Sequence, residues 1–189
     1  MKIKLFILVM ALTGSLPVRA QGSGEQFYKE LARTSSEIET LSGSFTQTKE
    51  FRSPDVKVVS KGTFRYARNR EIRFDYTVPY EMSIVVDDLT VKITTREKTN
   101  TYPLKDQRNA MAEMARIMNY CMKGLLHELK AGYDLTYTGD GAYHRVLVKN
   151  QKDDPGNAFD RIDLKFAREH LALEEMVISE KSGYITTYI

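Results

Sequence analysis

Residues 58–86 read VVSKGTFRYARNREIRFDYTVPYEMSIVV, and their period of two decides the fold. Val58, Ser60, Gly62, Phe64 and Tyr66 fall on one face of a strand and Val59, Lys61, Thr63 and Arg65 on the other, because successive strand side chains point to opposite sides. The alternation resumes in Ile72-Phe74-Tyr76, in Met82-Ile84-Val86 and, just beyond, in Leu89-Val91-Ile93. Short polar breaks at Asn69-Arg70, Pro79-Tyr80 and Asp87-Asp88 separate these runs, so the stretch predicts an antiparallel meander with one dry face.

On the N-terminal side the period changes. Phe27, Leu31, Ile38 and Leu41 recur at helical spacing among charged residues, which predicts an amphipathic helix over residues 21–41. On the C-terminal side, Met111, Met114, Met118, Met122 and Leu125 form an apolar stripe flanked by Ala110, Ile117 and Cys121, and predict a helix over residues 106–130. Strands then resume at residues 133–138 and 143–149, at Ile162-Leu164-Phe166, at Met176 and Ile178, and at residues 184–189. Ten or eleven strands and two or three helices without a βαβ rhythm predict an α+β fold. Residues 21–189 then form a single domain built on a large, curved antiparallel sheet.

Residues 1–20 are set apart by Lys2 and Lys4, an apolar run over residues 5–12 and small residues at Val18 and Ala20. This is the pattern of a secretory signal peptide, with cleavage expected before Gln21 and a soluble product outside the cytoplasm. The chain has 189 residues, 28 basic and 25 acidic, and a formal charge of +3. Lys2, Lys4 and Arg19 supply that whole excess, so the mature chain is neutral and its bulk charge gives no reason to expect nucleic-acid binding. A lone cysteine, Cys121, excludes an internal disulfide framework.

Known catalytic and phosphate-binding signatures are missing: there is no Gly-x-Ser-x-Gly, no Gly-x-x-x-x-Gly-Lys and no Gly-x-Gly-x-x-Gly. His127-Glu128 opens like a zinc-protease helix, but Ala131 stands where the second histidine is needed. His127, His144 and His170 lie in separate segments, Asp153-Asp154 lacks the spacing of a calcium loop, and Cys121 sits on an apolar helix face. No catalytic residue, metal site or cofactor is expected. The methionine stripe has two readings: a filled core beneath the sheet, or the inner face of a lid over an apolar guest. On either reading Met111, Met114, Met118, Met122 and Leu125 face Phe45, Phe64, Tyr66, Phe74, Tyr76, Met82, Ile84 and Ile93.

Particular residues favour the second reading. They are Gly43-Ser44-Phe45-Thr46-Gln47-Thr48-Lys49, Ser60-Lys61-Gly62-Thr63-Phe64-Arg65-Tyr66, Arg73-Phe74-Asp75-Tyr76-Thr77-Val78-Pro79-Tyr80-Glu81 and Ile84-Val85-Val86-Asp87. In this order and spacing they resemble the LolA-like outer-membrane lipoprotein carriers, in their short periplasmic variants. The resemblance implies an unclosed β-barrel lidded by helices, with an apolar interior that shelters the acyl chains of lipoproteins crossing the periplasm. It implies that a basic residue after the glycine-containing strand, here Arg68, holds the lid shut. It also implies acylated lipoprotein or lipid cargo, an inner-membrane ABC-type releasing complex and an outer-membrane acceptor; the carrier itself is expected to be a monomer. Asp88 departs from the family pattern, which has glycine there, and Phe74 replaces a common tryptophan. A non-enzymatic lipoprotein carrier is thus the expected function. The alternatives are a sibling carrier of another lipid or acyl-linked product, and a lipid-sensing regulator of envelope stress.

Overall fold

Helix α1 (Gln21–Ser36) leads into six strands: β1 (Thr40–Arg52), β2 (Asp55–Ala67), β3 (Glu71–Val78), β4 (Met82–Val86), β5 (Thr90–Thr95) and β6 (Thr99–Pro103). Helix α2 (Ala110–Lys123) and a 3-10 segment (Leu126–Ala131) follow. The chain finishes with β7 (Tyr133–Gly139), β8 (Tyr143–Asn150), β9 (Phe159–Ala167), β10 (Leu173–Glu180) and β11 (Tyr184–Tyr188). This computed structural model describes residues 21–52, 55–104, 110–151 and 159–189. The signal-peptide segment 1–20 and the Asp153-Asp154 loop lie outside the described residues.

All eleven strands join one sheet in the order β6-β5-β4-β3-β2-β1-β11-β10-β9-β8-β7. Every pairing is antiparallel and joins neighbours in the chain, except the seam where β1 meets β11. β6 and β7 are therefore the two free edges, and the barrel is not closed. The connection between them carries α2, so the helix bridges the gap.

The predicted alternation appears as burial. Ile72, Phe74 and Tyr76 of β3, Ile84 and Val86 of β4, Val146 and Val148 of β8 and Ile162, Leu164 and Phe166 of β9 all face one core with Ile117 of α2. Gly62 lets β2 and β3 close up where their register shifts: a Cβ there would lie 2.1 Å from the Asp75 carbonyl oxygen and 3.0 Å from the Phe45 ring. Any side chain would have to move the backbone.

Four details differ from the expectation. α1 stops at Ser36, and Leu41 belongs to β1, paired with Tyr66 and exposed. α2 stops at Lys123 because Gly124 takes φ +70°, the left-handed conformation that ends helices, which puts Leu125 beyond it. Leu89 leaves the alternation, since the Asp87 carboxylate accepts the Leu89 and Thr90 amide hydrogens and turns the chain there. β6, with the sequence TNTYP, is a strand that periodicity does not reveal; it pairs with β5 across a short turn.

Candidate functional site

An apolar cavity of about 330 Å³ lies between α2 and the concave face of the sheet. Phe45 (β1), Phe64 (β2), Ile72 and Phe74 (β3), Met176 (β10) and Tyr188 (β11) line it from the sheet. Met118 and Met122 line it from α2, and the exposed residues Ser44 and Glu174 mark its edge. Its volume sits at the lower end of the roughly 300–1,000 Å³ typical of ligand pockets. The rest of the interior is filled. Met114, Tyr66 and Ile84 are buried in the packed core.

Polar contacts hold α2 at both ends. Near its start, Arg116 Nη1 donates to both carboxylate oxygens of Glu113 at 2.8 and 2.9 Å, and Nη2 donates to the Leu104 carbonyl at 3.1 Å. The Tyr133 hydroxyl also donates to Glu113. Leu104 follows β6 and Tyr133 opens β7, so this cluster fastens the helix to both free edges of the sheet. Burial, with the Glu113 bond adding to it, pushes the Tyr133 hydroxyl up to about 12. Such a buried carboxylate is tolerable only with partners of this kind. At the other end, Asp88 on the β4–β5 turn accepts from Lys123 at 2.5 Å and from Asn119 at 3.0 Å. Lys123, then Asn119, hold its carboxyl below the usual carboxylate range.

α2 also rests on α1. A Cβ at Gly124 would come within 2.8 Å of the Leu31 carbonyl oxygen, the Ala32 Cα and the Ser35 side chain. α1 in turn is fixed to the sheet by Phe27, stacked on Tyr137 and His144 and edge-on to Phe166. Arg68, at the end of β2, donates from Nε to the Ile38 carbonyl at 2.9 Å and from Nη2 to the Ser35 carbonyl. A guanidinium at a helix C-terminus satisfies free carbonyls and matches the helix dipole.

Cys121 is buried, and burial pushes its thiol up, away from the reactive thiolate. His144 is hydrogen-bonded to the Tyr137 hydroxyl through Nδ1 at 2.8 Å, and burial holds its imidazole below the ordinary value. His127 and His170 are exposed. Among the described residues no group of three His, Cys, Asp or Glu is placed to hold a metal ion, and no helix is long and apolar enough to cross a membrane.

A lidded, unclosed antiparallel barrel with an apolar interior is the arrangement that the resemblance implied. Residues 36–189 match the family described as outer membrane lipoprotein carrier protein LolA. The chain belongs to the LolA family. No curated protein matches this LolA-family chain. Among solved structures it is similar to a LolA superfamily protein from Nitrosomonas europaea, at 7% identity and a TM-score of 0.42, covering 85% of this chain and 90% of that one. It is similar to a putative outer membrane lipoprotein-sorting protein domain from Vibrio parahaemolyticus, at 5% identity and TM-score 0.45, covering 86% and 88%. It is also similar to a chain of the Pseudomonas aeruginosa MucA/MucB complex, at 11% identity and TM-score 0.47, covering 88% of this chain and 54% of that one.

In this LolA-family chain the expected site residues divide. Phe45, Phe64, Phe74, Met118 and Met122 line the inner cavity. Tyr66, Ile84 and Met114 lie buried in the core, and Ile93 packs against it half-buried. Tyr76 and Met82 border a second, outer groove. Leu125, displaced by the early end of α2, borders the groove on the lid's far side instead of facing the sheet. The Met111 side chain lies outside the described residues. Arg68 bonds carbonyls at and just beyond the end of α1, and reaches α2 through α1. Sequence reasoning missed Glu113, Arg116 and Tyr133. Only the Glu113–Arg116 spacing of three, favourable for a helical ion pair, hinted at them.

Proposed function

We propose that this LolA-family protein is a periplasmic carrier that shelters the acyl chains of lipoproteins beneath α2 and passes them from the inner to the outer membrane. The observation that carries the reading is the apolar cavity between two methionines of α2 and the aromatic concave face. The signal segment supports export to the periplasm, and the family supports an ABC-type releasing complex upstream and an outer-membrane acceptor downstream.

The physics of handover accounts for a small cavity. Each buried methylene contributes ~0.8 kcal/mol, so a chain of about fifteen contributes ~12 kcal/mol when fully buried. Three such chains would exceed the practical ceiling near ~20 kcal/mol and would never leave. In the closed form Met118 and Met122 fill space that cargo would take, so the lid competes with its guest. A sparsely populated open state weakens apparent binding by its population.

Mass spectrometry of the protein purified from periplasm tests this. Co-purified acylated lipoprotein is the expected result. An empty protein that hydrolyses an ester substrate would overturn the carrier reading.

A further inference from the structure

The inner cavity reaches the surface at the end of the seam. Its exposed lining residues are Ser44, Glu174 and Ile189, and the others are buried or half-buried. β11 pairs with β1 along Gln47–Phe51 and with β10 along Met176–Ser179, and the Ile189 main chain adds two hydrogen bonds to Thr46. Ser44 on β1 and Glu174 on β10 lie beyond these ladders, where β11 no longer joins the two strands. β10 is also bulged at this point. Leu173 pairs with Phe166 and Glu175 with Lys165, which leaves Glu174 as the extra residue. A bulge re-aims the side chains around it, and this one sets a carboxylate at the edge of an apolar space.

The charge at this mouth is unbalanced. Lys165, Glu174 and Glu175 are the charged side chains that line the cavity. Lys165 is ion-paired with Glu175 at 3.5 Å and its ammonium lies 4.8 Å from the centre of the Tyr143 ring. Among the described residues no basic side chain pairs with Glu174, so the mouth carries one net negative charge. Deeper in, the lining is apolar apart from Tyr188, whose hydroxyl is already bonded to Gln47 at 2.7 Å. An alkyl chain lying along Phe74, Met118 and Met122 therefore leaves its polar head at the mouth, because a head drawn inside would lose water without gaining a partner. There a carboxylate beside an apolar wall attracts a positive head and repels a negative one.

We infer that the mouth at the end of the seam is the head-group site of the carrier, and that Glu174 selects acyl cargo whose head segment is positively charged. An acylated polypeptide with a basic residue beside its lipid has that chemistry; a free fatty acid, with its carboxylate, is turned away. The inference rests on the carrier reading and adds to it the end of the cavity from which the head protrudes and the charge that the head carries.

Purified protein is titrated calorimetrically, in dilute neutral buffer, with decylamine, decanoate and decanol, chains of one length with a positive, a negative and a neutral head. The wild type should bind decylamine about fivefold more tightly than decanoate, the scale of one solvent-exposed charge contact. Glu174→Lys should reverse that order and leave decanol binding unchanged, and Glu174→Gln should bring the two charged ligands close together. Equal binding of decylamine and decanoate by the wild type, or a preference that survives Glu174→Lys, would overturn the inference, while binding of decanol would leave the carrier reading in place. Failure to bind any of the three would overturn both.

Discussion

Lys123, in the last turn of α2, donates to the carboxylate of Asp88 on the β4–β5 turn at 2.5 Å, and so ties the C-terminal end of the helix to the sheet. Glycine, which the resemblance implies at this position, could make no such bond. Asp88 therefore adds a direct tie between α2 and the sheet.

Asp88→Ala should loosen the lid without unfolding the protein. The pair is largely exposed on the Asp88 side, at 65%, so global stability should fall by only ~0–1 kcal/mol. Cys121, 3% exposed on the inner side of α2, is a built-in reporter. Its labelling by a thiol reagent, followed by mass spectrometry, should accelerate about two- to fivefold in the variant. An unchanged rate would show that the tie does not limit opening.

Arg68→Leu leaves the Ser35 and Ile38 carbonyls without their donor and should cost about 2–3 kcal/mol locally. α1 should release Gly124 and α2 with it, giving faster Cys121 labelling and longer retention of lipid. Arg68→Lys should restore little, because a single ammonium cannot span both carbonyls as the guanidinium fork does. If lipid retention and handover in Arg68→Leu match the wild type, Arg68 does not hold the lid.

Gly124→Ala tests the contact between the helices. Alanine at φ +70° costs ~1–2 kcal/mol in backbone strain, and its Cβ would press on the α1 backbone at 2.8 Å. A fall of at least ~2 kcal/mol in denaturant unfolding is expected. A change of a few tenths would mean that α1 and α2 separate readily.

Acid should weaken the seat of α1. Burial, then Arg168, hold the His144 imidazole below its ordinary value of 6.5, with Glu30 and Asp140 opposing. Tyr137 and Phe27 complete its surroundings. The unfolded chain takes up the proton first, so His144 contributes fully above pH 6.5, and that contribution declines as the pH falls toward the lowered folded value. The difference in thermal midpoint between wild type and His144→Gln should therefore shrink from pH 8 to pH 5. A constant difference would remove His144 as the cause.

Alternation made the strands legible because one face of each is dry: Ile72, Phe74 and Tyr76 are all buried, as their spacing requires. The methionine spacing located α2 for the same reason, with Met114 and Met118 both buried. What escaped depends on contacts that no local pattern records. Tyr133 meets Glu113 only because the 3-10 segment brings the start of β7 back beside α2. The sequence marks Asp88 as unusual, yet its partners are Lys123 and Asn119, thirty and more residues away. β6 carries little apolar surface, since an edge strand over a partly open trough has little to bury.

The seam between β1 and β11 also sets an order of assembly. Every other ladder joins neighbouring strands and can form as the chain emerges, but Gln47 must wait for Tyr188, 141 residues later. Until the last strand arrives, the first six strands hold an unpaired edge along β1 and the exposed ring of Phe45. A chain that emerges from its N-terminus thus passes through a sticky half-built stage, and its survival there depends on how quickly the final strand arrives.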